Sequence, residues 1–320
     1  MLKKLKILAV FSTLGMLLLL LGGALVTKTD SGDGCGASWP LCHGQFIPTH
    51  LTVETMIELS HRVVTGIVAL IVTIFAFACW KYIGYIRETK FLSITAVGFI
   101  MIQSLIGAAN VIWRQSDFIL AIHFGVSLIS FAAVFLLTLL VFEIDKKFNA
   151  ETLVIDKRMT LHTVGIALFS FFVIYTGALV RHTESSMVCN SWPLCQSGIL
   201  SLPNNMYEWI QMGHRIAAGL LFLWIFYVMY VAIKNYKNEP IIYYGWITAF
   251  ILITLQVISG AFVVFTNLNL IIALFHALFI SILFGVLSYF IFLISRSKLN
   301  KENAEKFYKS KKMYPITMEK

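Results

Sequence analysis

Charged side chains are scarce in this sequence. Asp, Glu, Lys and Arg together make up 13% of its 320 residues, whereas a soluble domain carries about 25%. The deficit argues against a protein folded in water and for one surrounded by lipid. The hydrophobic share of 58% agrees with this interpretation. The composition therefore predicts a membrane protein that has most of its mass in the lipid bilayer.

The net charge of +9 does not indicate nucleic-acid binding. A nucleic-acid-binding protein concentrates its Lys and Arg on one face of a domain. Here the basic residues are spread over short segments between apolar runs and over the C-terminal tail. We therefore expect no nucleic-acid partner.

Eight apolar runs are long enough to cross a bilayer as helices, which takes about 20 residues each. The sequence predicts an all-α polytopic membrane protein whose eight helices lie near residues 7–27, 57–80, 91–113, 118–142, 160–180, 207–233, 241–266 and 270–295. The first run follows Lys3, Lys4 and Lys6, a pattern that is also typical of a signal peptide.

The sequence repeats itself at an offset of 153 residues, or 154 in the first run. The recurring elements are Gly23-Ala-Leu-Val26 and Gly177-Ala-Leu-Val180, Trp39-Pro-Leu-Cys42 and Trp192-Pro-Leu-Cys195, His61-Arg62 and His214-Arg215, Gln103 with Gly107 and Gln256 with Gly260, and His123 and His276. The repeat predicts two tandem four-helix bundles related by a pseudo-two-fold axis along the membrane normal. It also gives the first run a counterpart, which favours a helix over a signal peptide.

We expect three units: an N-terminal repeat at 1–148, a C-terminal repeat at 149–297 and a basic cytoplasmic tail at 298–320. Lys and Arg indicate the orientation, because they are enriched in cytoplasmic loops. With the N-terminus inside, the inner segments hold 20 of them, and the outer loops hold only Lys28, Arg114 and Arg181. Both termini are therefore predicted to be cytoplasmic.

Four of the eight histidines follow the repeat: His61, His123, His214 and His276. In each half the two are 62 residues apart and lie near the outer ends of their helices. Histidines in a membrane often hydrogen-bond neighbouring helices, but paired imidazoles can also clamp a haem iron. No triad of thiolates or carboxylates accompanies them, as zinc would require, so the pairs favour haem.

Small residues of these helices could open a slot for such a flat macrocycle. Gly66, Gly125 and Gly219 are available for that role, and plain helix packing is the alternative for each of them.

The outer loops contain two cysteine pairs, Cys35 with Cys42 and Cys189 with Cys195. Outer loops face an oxidising compartment, in which disulfides persist. We expect one disulfide within each loop, serving as a structural staple or in a redox role.

The two halves differ one turn before their first histidine. The first half has Glu58 where the second has Gln211. Residues at i and i+3 share a helix face, so Glu58 is expected to point where His61 points. A charge in one half alone suggests one reactive site and one electron-transfer site. The alternative is that Glu58 is an exposed first-turn residue favoured by the helix dipole.

Together, Glu58-x-x-His61-Arg62, the loop Cys35 to Cys42, the second motif Gly-His214-Arg215 and the late His123 and His276 resemble the haem A synthases of Gram-positive bacteria. The resemblance extends from Gly22 to about Ser295. It implies oxidation of the C8 methyl group of haem O to the formyl group of haem A, a four-electron change, in the cell membrane.

The resemblance also implies roles for the site residues. His61 and His123 would be the axial ligands of the substrate haem O, and His214 and His276 those of a haem b cofactor. Glu58 would be the catalytic carboxylate, with Arg62, Arg215 and Gln211 as accessory residues.

Glu58 could act as a general base toward water or stabilise a cationic carbon by its charge. A third route, oxidation centred on the iron, requires one axial histidine to dissociate.

Implied partners are a haem O synthase upstream, a cytochrome oxidase downstream and an electron partner for which a quinone is one candidate. Two rival functions remain open. One is a dihaem, quinol-linked cytochrome b that only transfers electrons. The other is a haem transporter or chaperone.

Overall fold

The computed structural model describes residues 2–113, 116–147, 150, 152–196 and 202–313, the side chains of 117, 144, 145 and 303–313 excepted. Arg114 and residues 314–320 of the predicted tail lie outside the described residues. Within this range the chain is helical and contains no strand. The long helices are α1 Leu2–Lys28, α2 Val53–Ile83, α3 Arg87–Trp113, α4 Asp117–Phe142, α5 Lys157–His182, α6 Met206–Asn235, α7 Pro240–Phe265 and α8 Leu270–Met313.

All eight long helices are long and apolar enough to cross a membrane. The prediction of an all-α, multi-pass membrane protein is therefore confirmed. Large apolar side chains such as Phe77 and Leu168 point outward from the helices, 71% and 69% exposed. In water such a surface would be unfavourable, whereas lipid covers it.

Most of the helices extend beyond the apolar runs that predicted them, and at three of the N-termini a polar side chain caps the helix. Thr52 caps α2 by accepting a hydrogen bond from the backbone nitrogen of Thr55 at 3.2 Å. Asp156 does the same for α5 through Met159 N at 2.8 Å, and Asn205 for α6 through Glu208 N at 3.0 Å. These caps satisfy backbone donors that have no partner within the helix.

Helix α8 continues to Met313 and includes much of the segment at 298–320 that the sequence set apart as a tail. Its extension contacts the connection between the two halves. Ser297 Oγ accepts from Ile155 N at 2.7 Å, and Lys301 Nζ donates to Ile155 O at 2.8 Å. The division of the chain into 1–148, 149–297 and 298–320 stays a prediction.

Each half forms a four-helix ring in sequence order. Helix α1 contacts α2 and α4, and α3 contacts α2 and α4; α5 to α8 repeat this arrangement. The halves meet through α4–α5, α1–α8 and α4–α8 contacts. Exchanging the halves leaves these three contacts unchanged, as a two-fold relation would require. The pseudo-two-fold axis itself remains a prediction.

The first predicted run forms α1, which packs as one of the four helices of the N-terminal ring. Its Ala9 and Met16 are fully buried. Its Thr13 hydroxyl lies 2.8 Å from that of Thr138 on α4. These contacts support a transmembrane helix in preference to a signal peptide.

Candidate functional site

One cavity of about 1410 Å³ lies between the helices, next to the two cysteine loops. Its walls include the four repeated histidines, His61, His123, His214 and His276. Small-molecule pockets usually measure about 300–1,000 Å³, so this cavity is large enough for more than one ordinary ligand. The structure therefore brings the two predicted histidine pairs into one continuous space.

Glycines let the helices approach the four imidazole rings closely. A Cβ at Gly22 would lie 2.9 Å from Nδ1 of His61, and one at Gly177 would lie 2.8 Å from Cε1 of His214. Cβ atoms at the repeated Gly107 and Gly260 would lie 3.8 Å from His123 and 3.1 Å from His276, the nearest atom being Cε1 in each ring. At Gly22 and Gly177 any side chain would collide with a histidine, which explains why glycine stands there.

The glycines singled out from the sequence divide into two groups. Gly66 and Gly219 line the cavity, with open space where a Cβ would be. Gly125 instead packs against Phe171, whose Cζ would lie 2.8 Å from a Cβ there. Helix packing is thus the role of Gly125, whereas the other two leave the cavity open.

In the second half, hydroxyl groups contact both imidazole rings. Thr176 Oγ1 lies 3.1 Å from Nδ1 of His214, and Ser259 Oγ lies 2.9 Å from Nδ1 of His276. Gln256 Nε2 also lies 3.0 Å from Nε2 of His276. Both rings are therefore held in fixed orientations.

In the first half the corresponding contacts differ. Nδ1 of His61 faces Gly22, which has no side chain to offer. Nδ1 of His123 is buried and has no hydrogen-bond partner among the described residues. The two halves thus present the same histidines in different surroundings.

Glu58 and Gln211 both line the cavity and are both 4% exposed. The alternative interpretation of Glu58 as an exposed first-turn residue is therefore wrong, because the cysteine loop covers it. Glu58 Oε2 accepts from Cys35 N at 2.6 Å. Gln211 Oε1 accepts from Cys189 N at 2.7 Å. Each side chain holds the loop of its own half against the cavity.

The two arginines that follow the histidines also hold the loops. Arg62 donates to the carbonyl oxygens of Ser38 and Leu41, both at 2.8 Å, and forms an ion pair with Glu58. Arg215 donates to Ser191 O at 2.7 Å and to Cys189 O at 3.1 Å. Gln211 carries no charge, so the ion pair belongs to the first half.

Both predicted disulfides are present, Cys35–Cys42 and Cys189–Cys195. The loops that they close bring Trp39 and Trp192 to the cavity wall. The fifth cysteine, Cys79, is buried and free. The two loops thus form part of the site. From the sequence they were visible only as a repeated motif.

Sequence reasoning missed Thr176 and Ser259. Each directly precedes a repeated glycine, Gly177 or Gly260, at a position where the halves differ. A search of the repeat for differences rather than identities would have found them.

Comparison with known proteins shows which family the chain resembles. The COX15-CtaA family, described as cytochrome oxidase assembly protein, matches residues 6–288. A heme A synthase of Macrococcus caseolyticus is 57% identical over 92% of this chain and 99% of its own length. Those of Lysinibacillus sphaericus and Bacillus cereus strain ATCC 14579 are each 54% identical, over 93% and 94% of this chain and 97% and 96% of theirs.

Proposed function

The chain belongs to the COX15-CtaA family of cytochrome oxidase assembly proteins, and on that premise we propose that it oxidises haem O to haem A. The observation that carries the proposal is the convergence of two histidine pairs and one buried carboxylate on a single large cavity. The reaction turns a methyl group into a formyl group and removes four electrons, which makes the protein a membrane oxidoreductase.

The lining of the cavity supports the proposal that it holds two haems. It is walled by apolar side chains, it contains four imidazoles, and glycines leave space beside them. Within the described residues, no three His, Cys, Asp or Glu side chains converge as a compact metal site requires. Paired imidazoles without further ligands match the axial ligation of haem iron.

We assign the substrate to the first half and the cofactor to the second. His61 and His123 would hold haem O, and His214 and His276 would hold haem b. The hydrogen-bonded rings of the second half suit a group that stays bound. When bound, haem b would supply electron transfer between the substrate half and an external partner.

Glu58 is assigned as the catalytic carboxylate. It is the buried acidic side chain on the cavity wall beside His61. Arg62 balances its charge, and the Cys35 loop shields it from water. In this position it can take a proton as a general base or stabilise positive charge on the carbon being oxidised.

The setting follows from the same premise. We place the protein in the cell membrane with both termini in the cytoplasm and the cysteine loops outside. A haem O synthase would supply the substrate and a cytochrome oxidase would receive the product, consistent with the family description. The electron partner is open, with a quinone as one candidate.

The direct test is to express the chain in membranes that contain haem O but lack any other haem A source, and to analyse extracted haems by chromatography. We expect haem A. Haem O alone, with two bound haems visible in the spectrum, would instead indicate the dihaem electron-transfer cytochrome. Haem O appearing in the outer compartment would indicate a transporter.

A further inference from the structure

The histidine rings of the two halves differ in what holds them. We propose that the hydroxyls of Thr176 and Ser259 are positioning groups that fix the iron-binding form of His214 and His276, so that the second half retains its haem. We further infer that their replacement by Gly22 and Ile106 lets the first half exchange its haem. This inference rests on the proposed function.

The hydroxyl of Thr176 favours a proton on Nδ1 of His214. A threonine hydroxyl has one proton. Thr176 donates that proton to Val173 O at 2.8 Å. In this arrangement its oxygen accepts from His214 Nδ1, 3.1 Å away. We therefore place the proton of His214 on Nδ1, which leaves the lone pair of Nε2 free for a metal.

His276 is held in the same form by Ser259. Ser259 donates its proton to Gln256 O at 3.0 Å and accepts from His276 Nδ1 at 2.9 Å. The amide nitrogen of Gln256 lies 3.0 Å from Nε2 of His276 and donates to the same lone pair that iron would take. The Gln256 amide must therefore turn away when the haem binds.

The first half lacks both hydroxyls at the equivalent positions. The repeat aligns Gly22 with Thr176, each directly before a Gly-Ala-Leu-Val segment, and Ile106 with Ser259, each directly before a repeated glycine. Gly22 faces Nδ1 of His61, and Nδ1 of His123 is a buried polar atom with no partner among the described residues. His123 thus lacks the support that His276 receives, and Gly22 offers His61 no side chain where Thr176 serves His214.

This difference in histidine support agrees with the proposed functions of the two halves, a substrate site in the first and a cofactor site in the second. A hydrogen bond from the second ring nitrogen fixes the orientation of a ligating histidine and raises its basicity, and its loss typically lowers metal affinity about 10- to 100-fold. A cofactor must stay bound through many turnovers. A substrate haem must enter, and its product must leave.

The first experiment measures haem release from the purified holoprotein to excess apomyoglobin. We expect Thr176→Val and Ser259→Ala to release the second-half haem about 10- to 100-fold faster than the parent protein. The midpoint potential of that haem should also rise, because a less basic ligand stabilises the ferric iron less. Thr176→Ser keeps the hydroxyl and should restore both values.

Thr163→Val is the matched control. Thr163 lies on the same helix as Thr176, is buried, and donates to the carbonyl of Met159 at 2.8 Å. It does not line the cavity. Thr163→Val removes a threonine hydroxyl by the same substitution as Thr176→Val. The haem release rate and the midpoint potential of this variant should equal those of the parent protein.

The reciprocal experiment adds the hydroxyl to the first half. Ile106→Ser places a hydroxyl at the position equivalent to Ser259. There it can accept a hydrogen bond from the unpartnered Nδ1 of His123, as Ser259 does from Nδ1 of His276. We expect more haem to co-purify with this variant and its first-half haem to leave about tenfold more slowly, the lower end of the effect of such a bond on metal affinity.

The results separate this inference from the proposed function. One outcome is that Thr176→Val and Ser259→Ala release haem at the parental rate and keep the parental potential. If His214→Ala still loses its haem, that result would overturn the inference but not the proposed function. A His214→Ala variant that keeps its haem would overturn the proposed assignment of the cofactor site.

Discussion

At the scale of single residues, Glu58 makes the same loop contact as Gln211 but also carries a negative charge. It holds the first cysteine loop through Cys35 N at 2.6 Å, and Gln211 makes the equivalent contact with Cys189 N at 2.7 Å. An amide is therefore sufficient to hold the loop. The negative charge of Glu58 is not needed for that contact. It forms the ion pair with Arg62, and we propose that it also serves the chemistry.

This comparison predicts the outcome of Glu58→Gln. The new side chain should keep the loop in place, as Gln211 does, but it can neither act as a base nor carry charge. Haem binding should persist because His61 and His123 are unchanged. The yield of haem A in extracted membranes should fall about 10²–10⁴-fold if Glu58 is a general base.

Two further variants serve as controls for the Glu58→Gln experiment. Glu54→Gln removes an exposed carboxylate from the first turn of the same helix and should leave the yield unchanged. Gln211→Glu should be tolerated without moving the chemistry to the second half, because one residue does not set substrate access. A parental haem A yield in Glu58→Gln would rule out the catalytic role.

The proposed cofactor ligands give a second prediction at this scale. His214→Ala or His276→Ala should each remove the tightly bound haem b, because one axial ligand and its hydrogen-bonded support are lost together. The absorption spectrum and the haem content of the purified protein measure this. His50→Ala, in an exposed loop, is the control. An unchanged six-coordinate spectrum in either ligand variant would contradict the assignment.

At the scale of helices and loops, glycine contacts set how closely α5 approaches α6. We expect Gly177→Ala to reduce bound haem sharply, because its methyl group would lie 2.8 Å from Cε1 of His214 and would displace the ring. Gly98→Ala, on α3 with open space around the added atom, should bind haem normally and be at least as stable. Haem content per protein, measured for both variants, decides this.

The cysteine loops give a prediction in which one half controls for the other. Replacing either disulfide by two serines should lower the free energy of unfolding by at most ~2–3 kcal/mol, since the rings are short. Loss of Cys35–Cys42 should reduce haem A formation more than loss of Cys189–Cys195, because only the first loop contacts Glu58. Equal losses of activity would contradict this.

At the scale of the whole molecule, the eight helices place the loop residues 29–52 and 183–196 at the same end of the bundle as the histidines. The opposite end holds most of the Lys and Arg residues. The positive-inside rule therefore predicts that the histidine end faces the outside of the cell. Substrate and product would be handled near the outer surface.

Cysteine labelling in intact cells tests this orientation. A membrane-impermeant maleimide should label His50→Cys, in the exposed first loop, without lysis. It should label Lys237→Cys, in the exposed turn between α6 and α7, only after lysis. The reverse pattern would place both termini outside. The native cysteines should stay silent, four in disulfides and Cys79 buried.

The sequence by itself determined the eight membrane-spanning helices, the duplication, the four histidines and both disulfides. These properties are local or periodic. An apolar run needs only its own length to predict a span, and a pair such as Cys35 and Cys42 is joined within one short loop. The repeat also matched residues that are far apart in the sequence. Identical residues at one constant offset indicate equivalent positions in the two four-helix bundles.

Only the tertiary structure decided that the two histidine pairs share one cavity, that Gly22 and Gly177 leave room for imidazoles, and that Glu58 is buried under its loop. The contact between Thr176 and His214 joins residues 38 positions apart on two helices. Hydropathy predicts that such helices cross the membrane, but it does not determine their rotation about their own axes or the distances between them. Those depend on side-chain packing between helices, so the surroundings of each histidine became visible only in the folded chain.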